Sequence, residues 1–186
     1  IYLASVCGVP VVNHIHGSEM DSFFHSASVL KKRFVKATFA RCGKFIALSE
    51  HWKTVLSEIV CADKIDVVMN YGVLQQDVMK SQNEETHNVV FLGFLSRKKG
   101  CLDIPKVAAL VKESISDVRF ILAGSGEPEE IREIQDCVNA CGVAEELIFP
   151  GWVCGEEKDE ILRKADVFFL PSYTEAMPVS VLEAMG

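Results

Sequence analysis

Short apolar runs rich in β-branched residues alternate along this chain with longer stretches whose apolar positions recur at helical spacing. That alternation predicts an α/β fold with parallel strands. Strands are expected at 9–15, 44–48 and 65–69 in the first half, and at 89–92, 118–123, 147–149 and 166–170 in the second. Helices are expected between them, over roughly 28–40, 50–59, 100–113, 129–140 and 156–163. Ser49-Glu50 and Glu127-Pro128-Glu129 set acids where two of these helices should start, and a carboxylate there complements the positive end of the helix dipole. Polar residues dominate from Gln75 to Asn88, and this composition break reads as an interdomain linker over 75–87. One domain is therefore expected over 1–74 and a second over 88–186.

The end of the chain carries the sharpest pattern. The run 165–170, apolar but for Asp166, reads as a buried parallel strand. It breaks at Pro171, and a helix is expected near Pro178, since the fixed φ of proline suits a first helical position. Glu175 falls in the loop and Glu183 in the helix. At about 1.5 Å per helical residue the two carboxylates stand roughly 12 Å apart. That is too far for an acid/base pair on one bond and suits a grip on both ends of an elongated ligand.

Composition narrows the classes. Of 186 residues 49% are apolar, enough to bury a core, and no uncharged stretch is long enough to span a bilayer. No signal peptide is read at the start. Seven cysteines, odd in number and without a CxxC pair, predict a reduced, cytoplasmic setting. The formal net charge of −7 argues against nucleic acid as a partner. Against that balance, 22–49 holds no acid but carries Lys31, Lys32, Arg33, Lys36, Arg41 and Lys44. Such a segment suits peripheral contact with an anionic membrane face, and equally an ordinary sheet-covering helix with a basic outer side.

Candidate chemistry sits where strands end. Gly93 to Gly100 frames Arg97, Lys98 and Lys99 before a helix, an arrangement suited to a diphosphate or, as plainly, to a solvated turn. Gly124-Ser125-Gly126 is a weak GxG that a tight turn explains as well. Trp152 and Val153 follow another strand, with Trp152 either a ligand contact or a packing residue. His14 and His16 share one strand face. Without a third ligand or an Asp-x-Asp motif, no metal site is expected.

The string PSYTEAMPVSVLEAMG, with Glu175 and Glu183 eight residues apart, resembles the signature of family 4 retaining glycosyltransferases. The resemblance implies the GT-B fold, two Rossmann-like domains facing across a cleft, both incomplete here. It implies a hexosyltransferase that moves a sugar from a nucleotide-diphosphate donor to a hydroxyl acceptor, a glycan or lipid-linked saccharide, with retention. No metal or other cofactor is implied, the nucleotide-sugar being a co-substrate. The implied catalytic residues are Glu175 on the donor sugar, Lys99 on the diphosphate and His16, from a His-Gly motif, near the sugar. Gly93, Arg97, Lys98, Trp152, Val153, Ala176, Met177 and Glu183 are implied to hold the donor, Glu183 through the ribose. Phe94 stands where the family pattern has Arg, which keeps open a chain that binds nucleotide-sugar without turning it over. Against that pattern the chain reads as the middle of a longer enzyme, its setting cytoplasmic and peripheral to the inner membrane face.

Overall fold

The computed structural model describes residues 1–17, 19–72 and 86–186. Of the expected linker, 75–85 lies outside the described residues. Two compact units result. One comprises Ile1–Tyr71 with Glu175–Val179, the other Gly72–Thr174 with Ser180–Gly186.

The first unit runs α1 (Tyr2–Val6), β1 (Val12–His14), α2 (Met20–Ser26), α3 (Val29–Phe39), β2 (Lys44–Ala47), α4 (Glu50–Ser57), a single 3-10 turn (Ala62–Lys64) and β3 (Ile65–Val67). Its three strands are parallel in the order β1-β2-β3. β1 is shorter than the expected 9–15 because Pro10 has no N–H to give a ladder. Ser28 and Ser49 each accept a backbone N–H three residues on, from Lys31 and Trp52, and so start α3 and α4. Phe39, Phe45, Ala47, Leu56 and Ile65 close the core. The short helices α1 and α2 carry no apolar stripe of their own (only Phe24 of α2 is buried), so periodicity missed them.

The second unit runs β4 (His87–Leu92), α5 (Ile104–Lys112), β5 (Val118–Ala123), α6 (Pro128–Cys141), β6 (Leu147–Gly151), α7 (Gly155–Arg163) and β7 (Val167–Phe168). α8 (Val179–Ala184) follows. All four strands are parallel, ordered β6-β5-β4-β7. Val90, Phe91 and Leu92 are buried in succession, as a central strand covered on both faces requires. Phe91, Phe120 and Leu122 pack with Ile104, Ala108, Ile134 and Val138 to form the main core.

Three expectations need correction here. β4 begins at His87, inside the expected linker, because His87 N–H donates to the Asp117 carbonyl. β7 is parallel but not buried. It is the edge of its sheet, and Val167 is 51% exposed. The helix expected from 100 starts only at Ile104, after a turn at Gly100 (φ +72°) and with Pro105 in its first turn.

Candidate active site

Open parallel sheets receive ligands beyond the carboxyl ends of their strands. In the second unit those ends carry four loops that are bonded to one another. Gly93 N–H donates to the Ala123 carbonyl at 3.1 Å, Leu95 N–H to Ser125 at 2.7 Å and Gly124 N–H to Gly151 at 2.8 Å. A Cβ on Gly124 would fall 1.7 Å from the Gly93 oxygen, so only glycine lets these two loops touch.

The basic loop is built as tightly. The Ser96 hydroxyl, in a buried residue, accepts the Lys99 N–H at 3.3 Å, and Gly100 N–H returns to the Arg97 carbonyl at 3.0 Å. A Cβ on Gly100 would lie 2.2 Å from the Pro171 oxygen. The loop after β7 therefore rests on the basic loop. It is also bonded there, with the Tyr173 N–H and the Ser172 hydroxyl both donating to the Lys98 carbonyl, at 3.1 and 3.4 Å. The Tyr173 hydroxyl donates to Asp103 at 2.5 Å, and Lys106 donates to the other oxygen of that carboxylate at 3.0 Å. These two bonds hold the Asp103 carboxyl below its ordinary range, the tyrosine first, and Asp103 in turn pushes the Tyr173 phenol up.

The three cations of the loop are not equivalent. The Arg97 guanidinium donates to Glu133 at 2.8 Å and its N–H to Glu130 at 3.1 Å, so Arg97 is directed at α6. Lys98 is exposed and Lys99 half-buried on the pinned turn. Phe94, neutral and 43% exposed, adds no charge beside Gly93. Trp152 is 72% exposed and so is not a core residue. Val153 is one, packed with Val90, Leu92 and Ala123. Glu183 on α8 is paired with Lys158 of α7 at 2.7 Å. The buried Cys101 thiol is pushed up to about 11 by burial, which removes it as a nucleophile.

The remaining candidates belong to the first unit. His14 and His16 stand at the end of β1 with ring centroids 3.8 Å apart. Loss of hydration first, and the charge of His16 second, lower the pKa of His14 below its ordinary value. Glu175 opens the segment Glu175–Val179, which two side chains fasten into this unit. Trp52 Nε1 donates to the Ala176 carbonyl at 3.3 Å, and Asn70 Nδ2 to the Met177 carbonyl at 2.9 Å. The engaged Ala176 carbonyl points the Met177 N–H the opposite way within their trans peptide plane, while Met177 is followed by Pro178, which has no N–H. Trp52 and Asn70, which sequence reasoning did not single out for this, thus occupy the Ala176 and Met177 carbonyls. Among the described residues no three His, Cys, Asp or Glu side chains gather as a metal site.

Comparison with known proteins adds the following. The model of a family described as "Glycosyl transferases group 1" matches residues 86–186. An uncharacterized glycosyltransferase of Methanocaldococcus jannaschii is 24% identical over 207 aligned residues, covering 99% of this chain and 51% of that protein. The Escherichia coli UDP-Gal:alpha-D-GlcNAc-diphosphoundecaprenol alpha-1,3-galactosyltransferase is 26% identical, over 98% of this chain and 51% of its own length. Among solved structures, Anabaena Alr3699/HepE in complex with UDP-glucose superposes with a TM-score of 0.77 at 20% identity, covering 99% of this chain and 53% of that one. The chain thus spans about half the length of these relatives, and the structural match establishes the Rossmann-like α/β fold of half a GT-B enzyme.

Proposed function

Because the chain belongs to the group 1 glycosyl transferases, we propose that it serves a retaining transfer of a sugar from a nucleotide-diphosphate donor to a saccharide or lipid-linked hydroxyl. The observation that carries this reading is the clasp in the second unit, where the loop after β7 is bonded onto the basic loop that presents Lys98 and Lys99. On this reading the second unit binds the nucleotide and diphosphate of the donor. The anomeric carbon–oxygen bond to the phosphate breaks while a bond to the acceptor oxygen forms on the same face. The acceptor proton passes to the departing phosphate oxygen. Lys99 neutralises charge gathering on that diphosphate. Glu175 and His16 orient the sugar, and Glu183 receives the ribose hydroxyls. Gly93, Trp152, Val153, Ala176 and Met177 complete the donor contacts through backbone or ring.

The base is best approached through uridine, since the Escherichia coli relative is named for UDP-Gal and the Anabaena structure holds UDP-glucose. Calorimetric titration with UDP, GDP, ADP and their sugars is the test. One nucleotide should bind, and Lys99→Ala and Glu183→Ala should each weaken it about tenfold, or about 1.4 kcal/mol. A folded chain that binds none of the three would overturn the assignment. Phe94 favours one second reading, in which donor binds but does not turn over. Binding without nucleotide release from the sugar would establish it.

The structure also bears on a membrane partner. No helix among the described residues is long and apolar enough to cross a bilayer. On α3, however, Leu30 (79% exposed), Arg33, Phe34 (63% exposed) and Ala37 recur at helical spacing on one face, Arg41 follows just past the helix end, and the Tyr2 ring stacks on Phe34. Apolar side chains between cations match the surface of anionic lipid. Vesicles containing phosphatidylglycerol should sediment the chain, neutral phosphatidylcholine vesicles should not, and Leu30→Glu/Phe34→Glu should abolish the difference. Equal sedimentation with both lipids would rule the contact out.

A further inference from the structure

Glu183 is held by a partner that no part of the donor reading accounts for. The Lys158 ammonium lies 2.7 Å from Glu183 Oε1, with the two side chains 26% and 28% exposed. Open pairs such as Lys164–Glu160 and Arg97–Glu133 are at least half exposed on both sides, where an ion pair is worth little. The Lys158–Glu183 pair is screened much less. It is also geometrically determined, because Ile161 and Leu162 of α7 pack on the Val90, Leu92, Ala123 and Val153 cluster and so fix the helix that delivers the ammonium.

We infer that Lys158 is a positioning residue for the donor, one that sets the ribose-hydroxyl contribution to affinity by holding the Glu183 carboxylate in place. The inference rests on Glu183 receiving the ribose. A carboxylate has two oxygens able to accept. Lys158 occupies Oε1, and the second oxygen is oriented by that bond. Charge-assisted hydrogen bonds to an ionised carboxylate are the strong ones, and they reward fixed geometry. A glutamate that must first stop sampling rotamers loses part of that gain to conformational entropy. Lys158 removes this loss before the nucleotide arrives, which is preorganisation. It also supplies positive charge beside Glu183 on a helix whose first turn, at Glu156 and Glu157, is acidic.

The test compares ribose with dideoxyribose. The probe is whichever of UDP, GDP and ADP binds best, together with its 2′,3′-dideoxy counterpart and its unphosphorylated nucleoside. Titrations use the unaltered chain, K158Q, K158R, E183Q and the double variant K158Q/E183Q, each checked for a cooperative thermal transition. The unaltered chain should prefer ribose by about tenfold, the scale of one hydrogen bond to a charged group. K158Q and E183Q should each cut that preference to within about twofold, the double variant should lose no more, and K158R should restore most of it. A lysine that merely braces α7 against α8 would lower the melting temperature and leave the ribose preference intact, and that result overturns the proposal. Weakened diphosphate binding with unchanged nucleoside binding also overturns it, by making Lys158 a phosphate contact. If E183Q itself keeps the preference, the ribose assignment of Glu183 fails and takes the proposal with it. If no nucleotide binds, the donor reading fails first.

Discussion

Lys99→Met is expected to lower kcat for sugar transfer by about 10²- to 10³-fold, the scale on which one preorganised charge-stabilising group acts. The size follows from how few cations serve the basic loop. Arg97 points to Glu133 on α6 in a solvent-exposed pair, and Phe94 brings a ring where a guanidinium would bring charge. Lys98 is exposed, and charge on an exposed ammonium is diluted by solvent and salt. Lys99 is half-buried on a turn tied by the Ser96 hydroxyl and by Gly100. Negative charge gathers on the diphosphate mainly as the bond to the sugar breaks, so kcat should fall further than KM rises. Lys98→Met, in contrast, should cost only a few-fold. Steady-state kinetics of nucleotide release with donor and acceptor present would decide the matter. A loss of less than threefold for Lys99→Met would mean that the diphosphate is stabilised elsewhere.

Phe120→Ala is expected to destabilise the second unit by about 3–5 kcal/mol, the usual cost of deleting a buried aromatic ring. Phe120 is 1% exposed in β5, registered opposite Val89 of β4 and Leu147 of β6. Its neighbours on β4 and β6 cannot move in without breaking ladder hydrogen bonds, so the cavity should stay largely unfilled. Urea unfolding should show the transition of this unit shifted to lower denaturant at an unchanged slope. Nucleotide binding should survive below the new midpoint. A shift worth less than about 1 kcal/mol would place the core elsewhere.

These residues also show which parts of the molecule can be read before folding. β5 was legible to the residue, because the run 118–123, apolar but for Arg119, is bounded sharply by Asp117 and Gly124. β1 was misjudged in length, since hydropathy alone extends through Val9 and Pro10 while the ladder needs N–H groups. β7 was read as parallel and is, yet its exposure depends on which strands flank it, a property of topology and not of the run itself. The glycine loops and the basic loop were visible as motifs, but their mutual clasp was not. Nor were three further contacts made by the signature segment. Trp52 reaches Ala176 across 124 positions, Asn70 reaches Met177 across 107, and Lys158 reaches Glu183 across 25. The diversion of Arg97 to Glu133 is likewise a tertiary fact, and a run of three cations conceals it.

Gly100 and Pro171 lie far apart in the sequence, yet a single methyl on the first would strike the carbonyl of the second. In evolutionary terms the two loops are expected to behave as one locus. A lineage that lengthens or re-tilts the turn after β7 must alter the basic loop in the same step, and one that replaces Gly100 must first move Pro171. Drift in donor preference along this lineage should therefore come in paired changes at the two loops, and single substitutions should accumulate only at positions outside the clasp.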